Sequence, residues 1–361
     1  MAQIQAEFRV PTEDVKNDLP FYTEQLGFRL ETIYPADDPE VAVLSGHGVR
    51  LRIEKGATEL PGTLRILTDN PDALAAGERV VTAPNGTRIE IAQLNPPMII
   101  PEVEHTFAVR RLTGEDPWVV GRAGMHYRDL IPDRLGGSII ASHIKIPEGG
   151  PVPDMVHYHT VGFQLIFCYK GWVELVYEDQ GEPFKLHAGN CVIQPPEIRH
   201  RVLSASDNIE VIEIGVPASH MTTIDHDMEL PNATYNPDRL FKGQRFVHHE
   251  ADKAGWTPFR MPGFMSRDTT ISANTQGLAG VHVIRKGKGK RVWSSHDSEI
   301  HFSFVMSGRM ILEGEGVEPC FLSAGGAFVI PPKMRTRYSD PSDDLELLEV
   351  SLPGEFETSL H

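Results

Sequence analysis

The 361-residue chain is short of three things, and each shortage excludes something. It has only three cysteines, Cys168, Cys191 and Cys320, far apart and each in a strand-like segment. No pair has metal or redox spacing, so buried free thiols in a reducing cytoplasm are expected. Positive charge is scarce, with 34 Lys and Arg against 50 Asp and Glu and a formal net charge of −16. A general binder of nucleic-acid backbone needs clustered cations, so no nucleic-acid partner is expected. Long apolar runs are missing, so no membrane span is expected. The opening "MAQIQAEFRV" lacks the charged start and apolar stretch of a secretory leader, which again predicts a cytoplasmic protein.

Glycine and proline, in contrast, are plentiful, at 32 and 28 residues. They cut the chain into short runs rich in Val, Ile, Leu and Phe, the rhythm of a mostly-β protein. The last two thirds repeat. "YRD" at 127–129 returns as "SRD" at 266–268, and "SHIKIPEGG" at 142–150 as "VHVIRKGKG" at 281–289. "QPPEIRHRV" at 194–202 returns as "IPPKMRTRY" at 330–338, and "NIEVIEIGVP" at 208–217 as "DLELLEVSLP" at 344–353. Two similar β-domains in tandem are predicted, over 101–217 and 258–361, with 218–257 as connector.

Residues 1–100 differ. They predict a small α+β module of strand, helix and three strands. The helix is expected over Asp14–Gln25 and stopped by Gly27. A strand and short helix follow, then a turn at Asn85–Gly86 and a last strand.

The chemistry gathers in "HYHTVGFQLIFCYKG", 157–171. His157 and His159 are two apart, so on a strand they share a face. Gln164, Ile166 and Cys168 also share one. Downstream, "AGNCVIQPPEIRH" supplies a turn, a strand, a rigid Pro pair and His200. Imidazole suits Fe, Zn, Cu, Ni or Mn, and three on one side of an ion leave positions open for substrate. Arg199 and Arg201 flank His200 and are candidates to assist catalysis on an anion. Only one face of that strand reaches the site, so surface charge is their competing role. Tyr158 is expected to pack outside.

These residues resemble the cupin superfamily. His157, His159, Gln164 and Gly171 match the spacing of its first motif, and Gly189, Pro195 and His200 that of its second. The resemblance covers about 120–217, with its repeat at about 258–353. It implies two tandem cupin (double-stranded β-helix, jelly-roll) barrels. The family's Glu ligand is Gln164 here, and the glycine of its second motif is Glu197. Gln164 is open to three roles: fourth metal ligand and catalytic group, partner of a ligand, or a buried amide that fixes backbone. In the second repeat the four positions become Ser294, His296, His301 and Thr336, so that barrel is expected to be structural. His143 and His282 recur in both repeats and are expected to be structural too. Residues 1–100 resemble the vicinal oxygen chelate (glyoxalase/bleomycin-resistance) superfamily. Its metal positions fall near Glu7 and Glu90, which are read as exposed strand acids.

The resemblance implies a bound divalent metal, Fe(II) first, with Mn, Ni or Zn as alternatives. Three-histidine iron sites lacking the Glu are typical of some cupin dioxygenases, and gentisate-type dioxygenases share the bicupin layout. A neutral ligand set leaves the full dication charge on the metal, which favours a small anionic aromatic or oxo-acid substrate together with O2. Two other readings stand beside it: an oxygen-independent isomerase, lyase or hydrolase, and a non-catalytic binding bicupin. A homo-oligomer, a dimer, is expected.

Overall fold

The computed structural model describes residues 7–35, 39–114, 116–121 and 124–361. The opening residues 1–6, part of the stretch behind the no-leader expectation, lie outside the described residues. The chain divides into two compact units, Met1–Pro97 and Met98–His361.

In the first unit, strand Phe8–Thr12 leads into a helix over Val15–Pro20. Asp14 caps it by accepting the amide of Lys16 at 2.9 Å. From Phe21 to Gln25 the turns widen to a π-helix, so the single helix expected over Asp14–Gln25 is two kinds of helix in series. Pro20 lacks an N–H and breaks the α-helical hydrogen-bond ladder at that junction. Strands Arg29–Tyr34, Val41–Gly46 and Val49–Lys55 complete a four-stranded sheet, with Phe8–Thr12 parallel to Val49–Lys55. A three-stranded sheet of Thr63–Thr68, Arg88–Gln93 and Val80–Thr82 follows, its hairpin turning at Asn85–Gly86 as expected. Tyr22, Leu26, Leu44, Ile53 and Ile89 are buried in the core. Glu7 pairs with Arg50 at 3.2 Å and Glu90 with Arg88, all at least partly exposed.

The second unit holds two β-sandwiches built alike. In the first, strands Phe163–Lys170, Ile209–Val216 and Ile140–Ile146 are the centre of a seven-stranded sheet. Facing it are Phe184–His187, Trp172–Tyr177, His200–Ala205, His157–Thr160 and Met221–Ile224. The second repeats this with Ile300–Ser307, Glu346–Leu352 and Gly280–Lys286 on one sheet, and Arg309–Gly314, Thr336–Ser339 and Ser294–His296 on the other. The architecture is therefore mostly β, with tandem barrels after a small α+β module. The stretch 218–257, expected as a connector, supplies Met221–Ile224 and Val247–His249 to the first barrel. Conversely, Ala108–Arg110 pairs with Ala327–Val329 of the second. Each added strand covers an edge whose backbone N–H and C=O groups would otherwise lack ladder partners.

The apolar run 163–170 is explained by having two dry faces. Phe163, Leu165 and Phe167 point one way, into a core shared with Phe302 and Phe304 of the second barrel. Burying one such ring contributes roughly 1.5–3 kcal/mol. Ile166 points the other way, into the first barrel. Gly171 and Gly308 close the equivalent strands of the two barrels at φ +73° and +69°. A Cβ there would sit 2.2 Å from Ser206 Oγ or 2.4 Å from Ser342 Oγ, which accounts for glycine in both copies.

His143 lies between the barrels. Its ring meets Trp118, Tyr169 and Phe304. It accepts from Arg128 at 3.3 Å and donates to Glu210 at 2.7 Å, while burial pushes its pKa down and keeps it neutral. Its equivalence to His282 fails. His143 stands opposite Ile212, whereas His282 stands opposite Glu349, the counterpart of Glu213. A shift of one residue separates the two strands, and one residue turns a side chain to the other face. Of the cysteines, Cys168 and Cys191 are buried, with thiols pushed up to about 12 by desolvation. Cys320, expected to be buried, is partly exposed.

Candidate metal centre

His157, His159 and His200 come together as the sequence spacing predicts. His157 and His200 face each other across adjacent antiparallel strands, and His159 follows on the same face as His157. One ring nitrogen from each lies within 4.8 Å of those of the other two, and all three residues are buried. Among the described residues this is the one such group of three metal-type side chains.

The second nitrogen of each ring is spoken for. His157 Nδ1 donates to the Met155 carbonyl at 2.8 Å, and His200 Nδ1 to the Ile198 carbonyl at 3.0 Å. His159 Nδ1 pairs with Thr222 Oγ1 at 2.9 Å. A carbonyl can only accept, so His157 and His200 in their neutral form carry the proton on Nδ1 and the lone pair on Nε2. That is the tautomer a metal ligand needs. Buried Asp154 stands behind His157, its carboxylate 3.7 Å from Nδ1, and is itself held by the amide of Val202 at 3.0 Å. The residues fit a divalent metal: three imidazoles oriented from behind, at the wall of a largely apolar cavity.

The cavity, of about 340 Å³, opens beside the histidines. Its walls are largely apolar, with Ile144, Ile166, Leu175 and Val211 among them. The polar groups are the three histidines, His220, Gln194, Glu213, Ser142, Thr222 and Tyr127. No Lys or Arg appears among the described lining residues.

Arg199 and Arg201 are therefore not brought to the site. They lie on the face of the strand opposite His200. Arg199 stacks over Tyr158, 4.3 Å from its ring, and pairs with Asp225 at 3.1 Å. Tyr158 packs on the outside, as expected. Gln164 is fully buried and is not on the cavity wall. Its Nε2 donates to Glu213 Oε1 at 2.6 Å, and its own Oε1 has no hydrogen-bond partner among the described residues. Glu197, at the place of the motif's glycine, keeps the glycine conformation at φ +66°, as Lys333 does in the second barrel at +67°. Each accepts roughly 1–3 kcal/mol of backbone strain to preserve the turn before the third ligand position.

Sequence reasoning missed six polar cavity residues: Glu213, Gln194, His220, Thr222, Ser142 and Tyr127. Glu213 enters because its strand pairs with Phe163–Lys170, with Ile166 directly opposite. The repeat carried a signal for it, since Glu349 stands at the same place. Gln194 sits on the strand-end before the Pro pair and contacts Tyr177, whose ring stacks on His200 with centroids 5.5 Å apart. His220 and Thr222 come from the supposed connector. His220 crosses His159 edge-on at 5.5 Å, with its Nδ1 donating to the Pro217 carbonyl at 2.9 Å.

The second barrel fills the same space. Ser294 and Thr336 stand opposite each other as His157 and His200 do. The residual cavity is only about 10 Å³. Arg260 lies across it and donates to both oxygens of fully buried Glu349 at 2.7 Å. His301, at the place of Gln164, lies 3.1 Å from both Arg260 and Glu349. His296 stacks on His301 at 4.3 Å, and burial, then the neighbouring His301, hold its pKa at about 3.

A family model described as Cupin domain matches residues 142–215. No curated protein matches the chain in sequence. Among solved structures, salicylate 1,2-dioxygenase from Pseudaminobacter salicylatoxidans is similar over 73% of this chain and 90% of its own, at 16% identity and a TM-score of 0.53. A variant of oxalate decarboxylase from Bacillus subtilis covers 72% of this chain and 81% of its own, at 11% identity and TM-score 0.52. Protein Ylba from E. coli covers 71% and 94%, at 10% identity and TM-score 0.51. At these identities the likeness concerns the fold. It agrees with a bicupin architecture carrying a cupin domain. No helix among the described residues is long and apolar enough to cross a membrane.

Proposed function

We propose that the first barrel is a metal-dependent enzyme, a non-haem Fe(II) dioxygenase acting on a small anionic aromatic or oxo-acid. The observation that carries this is the cluster of three buried imidazoles, two of them held in one tautomer by backbone carbonyls, at the wall of a largely apolar cavity of about 340 Å³. His157, His159 and His200 would hold the metal, with Gln164 behind the wall as the donor to Glu213. The ion, when bound, would supply the positive charge that draws an anionic chelator and would relay electrons from the substrate to oxygen. The chain's own residues do the rest. The apolar walls exclude water and accept a ring, and Ser142, Thr222, His220, Gln194 and Glu213 orient its polar groups. With Arg199 and Arg201 outside, the anion is bound at the histidine end. The salicylate dioxygenase that shares the fold has been solved as adducts with gentisate, a ligand of the proposed class.

Glu213 favours a second reading. A carboxylate on the wall of a metal cavity is suited to moving a proton, as an isomerase, lyase or hydrolase with Mn, Ni or Zn would require. The N-terminal unit, in the glyoxalase-like reading, is a packing or dimerising module. Metal analysis of freshly purified protein, followed by oxygen uptake on salicylate, gentisate and 2-oxo acids, separates these readings. Stoichiometric iron with substrate-dependent oxygen consumption is expected. Turnover without oxygen removes the dioxygenase, and protein that never holds stoichiometric metal removes both enzymes.

A further inference from the structure

Next to the apolar strand Phe163–Lys170, at the end of Cys191–Ile193, the cavity wall carries a side-chain amide held by a buried phenol. Gln194 is 5% exposed and lines the cavity, with one end of its amide 2.9 Å from the Tyr177 hydroxyl. Tyr177 itself is buried and does not line the cavity. Burial raises its pKa, so the phenol keeps its proton and must place it. With Nε2 toward Tyr177, the phenol accepts and its own proton must be placed elsewhere. Turned by 180°, the amide satisfies both partners. The phenol then donates to Gln194 Oε1, and the NH2 group faces the cavity. The second barrel has Ile330 where the first has Gln194, so the device belongs to the open barrel alone.

We infer that Gln194, oriented by Tyr177, presents its amide N–H donors to the substrate and makes the cavity selective for an anionic oxygen. This rests on the proposed function and sharpens its substrate class. The bound molecule carries an oxyanion or carbonyl oxygen toward Gln194, within reach of the histidine end, because Tyr177 stacks on His200.

Zinc-loaded protein, which cannot turn over by redox chemistry, allows a binding test. Dissociation constants for benzoate and salicylate are measured by calorimetry on the wild type and on Gln194→Glu, Gln194→Met and Tyr177→Phe. Metal content and thermal unfolding are checked for each. Gln194→Glu accepts the Tyr177 proton through one oxygen and turns the other, an acceptor, to the cavity. It is expected to weaken the anions by 100-fold or so, Gln194→Met by about 10-fold and Tyr177→Phe by a few-fold, all with zinc retained. Should Gln194→Glu lose its metal, the two neutral replacements carry the test. Unchanged affinity in the metal-retaining Gln194 variants overturns the inference and leaves the metal enzyme standing. If the zinc-loaded wild type binds neither anion, the proposed substrate class falls and the inference falls with it.

Discussion

The two barrels have one frame and opposite interiors. Strand order, register and closing glycines agree, down to the facing pairs His157–His200 and Ser294–Thr336. The first barrel keeps a cavity of about 340 Å³ and the second one of about 10 Å³. A few side chains make the difference. Val202 becomes Tyr338, Gln194 becomes Ile330, and Arg260 enters to sit against Glu349. The second barrel has an internal cation of its own. The first has imidazoles suited to an external one. A frame set by strand pairing and buried apolar faces is thus indifferent to what its lumen contains, provided charge and volume are satisfied there.

The largest effect expected is from Arg260→Met. It leaves the buried Glu349 carboxylate without its bidentate partner, which costs about 3–5 kcal/mol in thermal or urea unfolding. Adding Glu349→Gln should recover a good part of the loss. If Arg260→Met alone is neutral, the internal-cation account of the second barrel is wrong. The next effect is on metal binding. His200→Thr, which copies the second barrel, should lower metal affinity by more than the 10–100-fold typical of losing an outer partner. His296→Thr should leave metal content unchanged. Equal losses from the two would erase the contrast between barrels. Asp154→Asn should weaken metal by about 10-fold without unfolding the chain, because it acts through the His157 ring.

Acid provides the most graded test. His296 is held at about 3 in the folded chain, against about 6.5 when unfolded. Between these values the unfolded state binds more protons, so stability falls as pH drops from about 6.5 toward 3. The slope is at most about 1.4 kcal/mol per pH unit for this one group. Glu349, with its pKa lowered although burial alone would raise it, adds loss of the same sign at lower pH. Unfolding curves of His296→Asn should be flatter than wild type over pH 6 to 4, and an unchanged slope would locate the acid sensitivity elsewhere.

Much of this was legible because it is local. Two histidines spaced by two on a strand must share a face, and a Pro pair just before His200 fixes the turn that delivers it. The alternation around His200 already limited Arg199 and Arg201 to one side of the strand, and the structure puts them outside with Tyr158 and Asp225. Thr222 and His220 were not legible, since they reach the site through pairing with a strand far away in sequence, and Glu213 showed only as the repeat partner of Glu349. The His143–His282 pairing misled because repeat alignment tolerates a one-residue slip that a pleated strand does not.

By itself, then, the sequence determined the class of fold, its duplication, and which repeat could hold a metal. Those follow from periodicity, glycine placement and ligand spacing, all properties of neighbours along the chain. Only the tertiary structure decided what surrounds the ligands. It placed Gln164 behind the wall as the donor to Glu213, brought Gln194 and Tyr177 beside His200, and drew the supposed connector into the barrel. These depend on which strands pair and in what register, and that is fixed by burying both faces of the central strands at once.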